Sequence, residues 1–251
     1  MSDFDRNYAA RGFGAAQAAA IDAGLRAYMI RVYNYMAAGV ALTGVVAWLT
    51  FNAAVQTGPG GQLALTSFGQ AIFSGPLTIV LFLATLGIVF FMSFRISHLQ
   101  PSTALMLFMA YAALLGLMLS SVFLAYTGAS ITRTFFISAA SFGALSLYGY
   151  TTQRDLSPIG SFLMMGLFGL ILAMVVNIFL KSSGLDFAIS AIGVLIFAGL
   201  TAWDTQKIKE MYSVNDDGTV AGRKAVMGAL TLYLDFINLF LFLLRFLGDR
   251  R

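Results

Sequence analysis

Long apolar runs, separated by short polar connections, dominate the chain. The longest extends from Val32 to Phe94 and contains no Asp, Glu, Lys or Arg. A helix needs about 20 apolar residues to cross the roughly 30 Å hydrocarbon core of a bilayer. The pattern therefore predicts seven membrane-spanning helices, at about 32–51, 77–94, 103–125, 131–150, 159–180, 186–204 and 226–247.

These runs favour helices over strands, because membrane barrels show alternating segments of about 10 residues. Within lipid, a helix pairs its backbone amides inside its own segment. We therefore predict an all-α, polytopic membrane protein. The Ala- and Gly-rich segment 1–27 is expected to be mobile or to lie on the surface, and 28–251 to form one seven-helix transmembrane domain. The Gly-rich connection after the first span is expected to contain a short helix at the interface.

Composition supports this class of protein and excludes several kinds of site. Hydrophobic residues make up 59% of the chain and charged residues 10%, whereas soluble domains carry about 25% charged residues. The absence of cysteine excludes disulfides and thiolate metal sites, and the single histidine, His98, excludes a histidine-rich metal cluster. The net charge of +4 indicates no nucleic-acid partner, because membrane proteins place Lys and Arg beside their spans.

The same basic residues predict the orientation of the chain. With seven spans, the connections on the N-terminal side carry ten Lys and Arg against five on the other side. If the last segment dipped into the bilayer and returned, the count would be 13 against 2. Both arrangements place the N-terminus in the cytoplasm. They leave the side of the C-terminus open.

One carboxylate interrupts the seventh span. Asp235 follows Val226 by nine residues, about 13 Å along a helix and close to the midplane. An ionised carboxylate costs a few kcal/mol there. Asn238, three residues later, shares its face, so this face is expected to look toward protein or water, with Asn238 as a pore-facing residue. An interhelical hydrogen bond is the structural alternative for Asp235.

Asp204 and Arg95 are less unusual by position. Asp204 ends the sixth span just before Lys207 and Lys209, where a carboxylate can simply mark the interface, and Arg95 follows the second span as an ordinary anchor would. Both helix ends face the N-terminal side in the predicted topology. Arg95 and Asp204 are therefore able to meet at one mouth of the bundle, with Asp235 deeper on the same path.

Two segments resemble a known family. The stretch "ALTLYLDFINLFLFLLRFLG" is similar to the C-terminal signature of the Bax inhibitor-1 family, also called the transmembrane Bax inhibitor motif family, and "WDTQKIK" matches the end of that family's sixth helix. The strong match covers about 199–248. The chain is thus similar to bacterial members of the family, which implies a location in the bacterial inner membrane.

The resemblance carries expectations about fold and function. It implies a last helix surrounded by the other six, and a pH-sensitive calcium leak channel in which two aspartates share a proton. By resemblance these are Asp204 and Asp235, with Arg95 as the latch of the closed state. It implies no tightly bound cofactor, Ca²⁺ as the permeant or weakly bound ion, and the lipid bilayer, protons and a membrane-bound AAA protease as partners.

The chemistry of the two carboxylates is compatible with such a channel. Ca²⁺ prefers hard oxygen ligands, and conduction requires a weak site. Two adjacent carboxylates titrate as a unit. The hypothesis is that a shared proton, with help from Arg95, holds the mouth shut, and that loss of the proton admits the cation to Asp204 and Asp235.

Four other classes of protein fit the sequence to different degrees. A proton-coupled transporter also suits a carboxylate pair. A non-conducting regulator would bind other membrane proteins, for which Gly39 and Gly44 offer close helix contacts. An intramembrane aspartyl protease is disfavoured because the contexts "AWDT" and "YLDF" lack its Tyr-Asp and Gly-x-Gly-Asp motifs, so no enzyme is expected. A retinal protein would need a lysine inside the last helix, which this chain does not have there.

Overall fold

The computed structural model describes residues 3–57 and 62–251, with side chains from 21–56 and 62–251. Within these ranges the chain is almost entirely helical. Its helices are α1 (Asp3–Ala54), α2 (Ser67–Phe73), α3 (Pro76–Arg95), α4 (Pro101–Leu119), α5 (Val122–Ala125), α6 (Gly128–Thr151), α7 (Ser157–Leu180), α8 (Ser183–Glu210) and α9 (Gly218–Leu247). A 3₁₀ turn covers Ile96–His98, and strands β1 (Val55–Thr57) and β2 (Leu63–Leu65) form an antiparallel hairpin.

Six of the seven predicted spans each lie within one long helix, whereas the predicted span 103–125 covers α4 and the short α5, which are separated at Ser120 and Ser121. Six of the seven helical segments that contain these spans, all except α6, are apolar and long enough to cross a membrane. The helix α6 has 24 residues, about 36 Å, but serine and threonine lower its hydropathy. Several of them, including Ser130, Thr134, Ser138 and Ser146, are buried in the bundle. The all-α polytopic prediction is therefore confirmed.

The two predicted irregular regions have different outcomes. No break separates 1–27 from 28–251, because α1 runs without interruption from Asp3 to Ala54. The mobility of 1–27 stays a prediction, and residues 1–2 lie outside the described part. The predicted short helix is present as α2, where Thr66 accepts a hydrogen bond from the Gly69 amide. A side chain at Gly69 would collide with the Ala54 carbonyl, so glycine lets α2 pack on the end of α1.

The last helix is central. The helices α1, α4, α6 and α8 all pack against α9, while α3 packs mainly on α4 and α7 on α8. The resemblance implied a ring of six helices around the last one. The four that pack closely against α9 instead carry α3 and α7 on their outer side. More than half of the residues of α9 are buried, as expected for a helix with protein on most of its surface.

Side-chain hydrogen bonds tie α9 and its neighbours together. Thr43 of α1 lies 2.6 Å from the Tyr233 hydroxyl of α9 and donates to the Ala112 carbonyl of α4 at 2.9 Å. A second chain of hydroxyls joins α1, α6 and α8: Tyr33 to Ser146 at 2.5 Å and Ser146 to Thr205 at 2.9 Å. Burying hydroxyls is unfavourable unless they are paired, so these contacts favour one arrangement of the helices.

The last helix crosses the whole bundle. Tyr28 of α1 contacts Tyr212 in the α8–α9 connection, with ring centroids 5.7 Å apart. At the other end of α9, the Arg251 amide donates to the Ala125 carbonyl at 3.0 Å, and the Thr127 amide donates to the Asp249 carbonyl at 3.2 Å. Because α9 is one uninterrupted helix, the alternative in which it dips and returns is wrong. The C-terminal residues lie on the face opposite Tyr28.

Candidate functional site: a buried carboxyl pair

The two aspartates singled out from the sequence lie on neighbouring antiparallel helices. Asp204 is in the last third of α8 and Asp235 is near the middle of α9, and only 8% and 5% of their surfaces are exposed. Glycines bring the helices close: a Cβ at Gly193 would lie 2.5 Å from the Phe242 ring, and one at Gly228 would lie 2.9 Å from Ile208. The packing therefore forces the carboxyl groups into one buried space.

The carboxyl groups of Asp204 and Asp235 are within hydrogen-bonding reach of each other. Two ionised carboxylates offer acceptors and no donor. In that form, Oδ2 of Asp235 is buried and has no hydrogen-bond partner among the described residues. A single proton held between the two groups supplies the missing donor. The geometry thus suits a pair that carries one proton and one negative charge.

The pair borders a partly open cavity of about 630 Å³. Asn238 and Thr231 of α9 also line this cavity, so the polar face predicted for the last helix is present. The Asn238 side chain donates to the Leu234 carbonyl at 2.9 Å, which leaves its amide oxygen available. Apolar side chains of α7 and α8 form much of the remaining wall, among them Met164, Leu167, Ile171 and Phe197. The cavity is therefore mostly apolar with one polar stripe.

Charged residues mark the far end of this cavity. Arg245, nearly three turns beyond Asp235, lines it. The Arg245 guanidinium contacts the Asp186 carboxylate at 2.6 Å, and Arg250 contacts the same carboxylate at 3.4 Å. A side-chain hydrogen bond with Tyr126, together with the charge of Asp186, raises the pKa of Arg250 above its ordinary value. A network of partly exposed ion pairs thus lies at this end of the cavity.

The structure does not bring the predicted latch to the pair. Arg95 ends α3 with an exposed side chain, lies outside the cavity lining, and forms no ion pair with another described residue. The cation that acts electrostatically on Asp204 is Lys207, one turn later in α8, and its ammonium group lies 5.0 Å from the Trp203 ring centroid. The physical reason is that α3 packs on α4, away from α8. The role of Arg95 as a latch stays a prediction.

Sequence reasoning missed Asp186 and Arg245. Both lie at helix ends, where charged residues are common, and nothing in their spacing connects them. Only the topology indicates that these two residues meet, because α8 and α9 are antiparallel and the start of α8 therefore lies beside the end of α9.

The donor set suits a weakly held cation. Two carboxylates and the Asn238 amide oxygen are the kind of ligands that Ca²⁺ prefers. The described residues contain no cluster of three or more His, Cys, Asp or Glu side chains arranged to hold a metal ion. A cation at the pair would therefore take its remaining ligands from carbonyl groups or water, which gives an exchangeable site.

Long apolar helices around a buried carboxyl pair define a multi-pass helical membrane protein. The chain belongs to the Bax inhibitor-1 family: residues 25–251 match the family described as "Inhibitor of apoptosis-promoting Bax1". It is 54% identical to the protein RP147 of Rickettsia prowazekii over 92% of each chain. It is also 47% identical to the inner membrane protein YbhL of Escherichia coli, over 91% of this chain and 94% of that one. A protein of Caulobacter vibrioides is 44% identical along the full length of both chains.

Proposed function

We propose that this protein is a cation leak channel, with Ca²⁺ as its principal ion, and that the Asp204–Asp235 pair is its protonatable barrier. One observation carries the proposal: two buried carboxyl groups from neighbouring helices meet at the wall of a partly open cavity of about 630 Å³ within the membrane bundle. Ionisable groups inside a membrane bundle are expensive to bury, and such groups commonly line ion or proton pathways.

In the closed state, one proton lies between Asp204 and Asp235. The pair then has a single negative charge, and the hydrogen bond holds α8 against α9 at this level. Loss of the proton places two negative charges side by side in a site with little water. Their repulsion favours separation of the helices and attracts a divalent cation, which takes an oxygen from each carboxylate. The site releases the ion again because its ligands are few.

The cation would leave the cavity past Arg245. The positive charge of Arg245 opposes the passage of a cation, and the contact of Arg245 with Asp186 at 2.6 Å offsets that charge. A passing Ca²⁺ competes with Arg245 and Arg250 for the Asp186 carboxylate. This end of the path is therefore the second barrier that the proposal requires.

The orientation of the channel follows from its basic residues. The face that contains the start of α1 and the α8–α9 connection carries ten of the 15 Lys and Arg residues. On the positive-inside rule this face is cytoplasmic, so the carboxyl pair is reached from the cytoplasm and Arg245 faces the other side of the membrane.

The test is calcium flux into liposomes that contain the purified protein, measured between about pH 6 and 8. The wild type is expected to leak more as the pH rises, because the pair loses its proton. Asp235→Asn cannot share a proton in this way and is expected to abolish the pH dependence. Asp217→Asn is the matched control: it makes the same chemical change at the N-cap of α9, where asparagine caps equally well.

Three other results of this experiment would each contradict the proposed channel or favour another function. An Asp235→Asn variant that leaks with the wild-type pH response contradicts the role of the pair. Saturable uptake of a substrate, driven by a pH gradient, identifies a proton-coupled transporter instead. If the folded protein shows no leak at any pH, the non-conducting regulator becomes the favoured function. The next step is then to identify its membrane partners, the AAA protease among them.

A further inference from the structure

A groove separates α1 from α6 on the side of α9 that faces away from the carboxyl pair. Phe236, Ile237 and Phe240 of α9 line its floor. At 3.6 residues per turn they lie on the face of α9 opposite Asp235 and Asn238. The groove consists of three adjacent hollows of about 500, 570 and 450 Å³; the first two share the lining residue Phe142, and the last two share Gly44 and Phe135.

The groove is as long as the bilayer core is thick. Along α1 its lining begins at Arg26 and ends at Trp48, a distance of about 33 Å on a helix, against roughly 30 Å of hydrocarbon. Residues on its rims are exposed, with 49% of Ile30 and 63% of Leu147 accessible. In a membrane the groove therefore opens sideways to lipid.

Protein side chains leave the groove unfilled. A Cβ built at Gly44 on the α1 wall, or at Gly143 on the α6 wall, would meet nothing within 4 Å. Several other glycines of the bundle lie against a neighbouring helix, as Gly39 does against the Phe108 ring. These two positions instead widen the groove along an apolar surface.

The two ends of the groove differ in their cations: basic side chains lie at one end without a carboxylate partner among the described residues, whereas Arg133, which follows the lining residue Thr132 at the other end, contacts Asp249 at 3.2 Å. Arg26 lines this end with an exposed side chain, and it forms no ion pair with another described residue although Asp22 lies one turn earlier. Across from it, Lys209 lies 5.4 Å from the centroid of the Tyr150 ring, which also lines the groove. The described lining of the opposite end, around Trp48, contains no charged residue.

We infer that this groove binds one anionic phospholipid from the leaflet that borders the start of α1, with its phosphate at Arg26 and an acyl chain between α1 and α6. Arg26 lies six residues before Val32, about 9 Å along the helix, which is the depth of the headgroup layer just outside the hydrocarbon core. The acyl chain passes over Phe142, which lines the two hollows nearest this end. Anionic lipids are attracted to basic residues beside a span.

The bound lipid contacts the hydroxyl chain between the helices. Ser146 lines the groove and connects Tyr33 of α1 to Thr205 of α8, and Thr205 follows Asp204 directly. Occupancy of the groove therefore supports the spacing of α1 and α6 beside the carboxyl pair. The binding itself does not depend on whether the protein conducts ions.

The experiment counts lipids bound to the purified, delipidated protein by native mass spectrometry, during titration with phosphatidylglycerol or phosphatidylcholine. Gly143→Leu fills the groove, and Gly87→Leu is its matched control, because Gly87 is an exposed helical glycine of α3 whose Cβ also meets nothing within 4 Å. Arg26→Gln removes the phosphate contact. Its control is Arg31→Gln, an exposed arginine of the same helix outside the groove.

The wild type is expected to bind one phosphatidylglycerol more tightly than phosphatidylcholine. Arg26→Gln should weaken phosphatidylglycerol binding roughly fivefold, as loss of one basic contact does. Gly143→Leu should weaken the binding of both lipids roughly tenfold or more, because the added side chain occupies the acyl-chain volume. The two controls should bind as the wild type does. Equal weakening in a variant and its control, or no preference for the anionic lipid, would overturn the inference.

Discussion

Two acidic sites lie near one partly open cavity and have different neighbours: the Asp204–Asp235 pair lines the cavity, and Asp186 contacts the lining residue Arg245. The Asp204–Asp235 pair is buried and forms no ion pair with another described residue, so a proton is the counter-charge that we propose for it. Asp186 lies in the first turn of α8, contacts Arg245 and Arg250, and keeps 27% of its side chain exposed. We therefore expect the first site to respond to pH and the second to respond to salt. The two sites differ in their neighbours: one holds two carboxyl groups together, and the other places a single carboxylate between two arginines.

The largest expected effect is on stability at the buried pair. Raising the pH from 6 to 8.5 should lower the thermal unfolding midpoint of the wild type, because loss of the shared proton leaves adjacent buried charges. An uncompensated buried charge costs on the order of 3 kcal/mol. In Asp235→Asn this dependence should disappear, and the midpoint should be the same at both pH values. A wild type with a pH-independent midpoint would show that no shared proton holds Asp204 to Asp235.

A smaller effect is expected at the outer site. Asp186→Asn should cost about 1 kcal/mol of unfolding free energy at low salt, because partly exposed ion pairs contribute little. The difference should vanish near 1 M salt, where the Debye length is about 3 Å. Denaturation of wild type and variant at the two salt concentrations measures this. A loss that persists at high salt would mean that Asp186 acts through hydrogen bonding rather than charge.

A still smaller effect distinguishes two cations. Lys207→Gln removes the attraction that Lys207 exerts on Asp204, so the pH at which flux is half-maximal should rise by a few tenths of a unit. Arg95→Gln should leave that pH unchanged, because Arg95 is exposed and remote from the cavity lining. Flux titrations of the two variants decide which residue acts on the pair. A shift in Arg95→Gln alone would restore the latch predicted from the sequence.

The smallest effect concerns Asp155, a fully exposed carboxylate outside the spans. Hydrogen bonds from Ser157, including one from its amide at 2.8 Å, hold the pKa of Asp155 below its ordinary value. Its contribution to stability is therefore present above the unfolded-state pKa and is lost as the pH falls through the lower folded-state pKa. Asp155→Asn should change the unfolding midpoint by about 1 °C or less at pH 7. The difference should disappear in acid, and one that grew there would reverse the assigned sign.

The sequence was sufficient for the architecture because the bilayer restricts the choices. Apolar runs of membrane-spanning length predicted the helices that the structure contains, and the lone carboxylate in the last run predicted that α9 has a polar face. One cavity is lined by Asp204, Asp235 and Asn238. Their positions follow from the helical period of α9 and from the antiparallel arrangement of α8 and α9, and the sequence indicates both.

The sequence did not predict the contacts that depend on which helices pack against each other. Topology alone placed Arg95 and Asp204 on one side of the membrane, but only packing shows that α3 lies against α4 and not against α8. The same limit concealed the contact of Asp186 with Arg245. It also made Gly44 look like a helix-contact residue, whereas a side chain there would meet open space.

The central position of α9 has a consequence for how freely the chain can vary. This helix buries residues on almost every face, borders the acidic cavity on one side and an apolar groove on the other, and supplies Asp235. By contrast, α7 buries Gly160 and Leu170 and presents most of its other side chains outward. In α7, an apolar residue of another shape meets only fluid acyl chains, which adapt. A library of random apolar substitutions should therefore yield many working variants in α7 and few in α9, although both helices are apolar enough to cross a membrane.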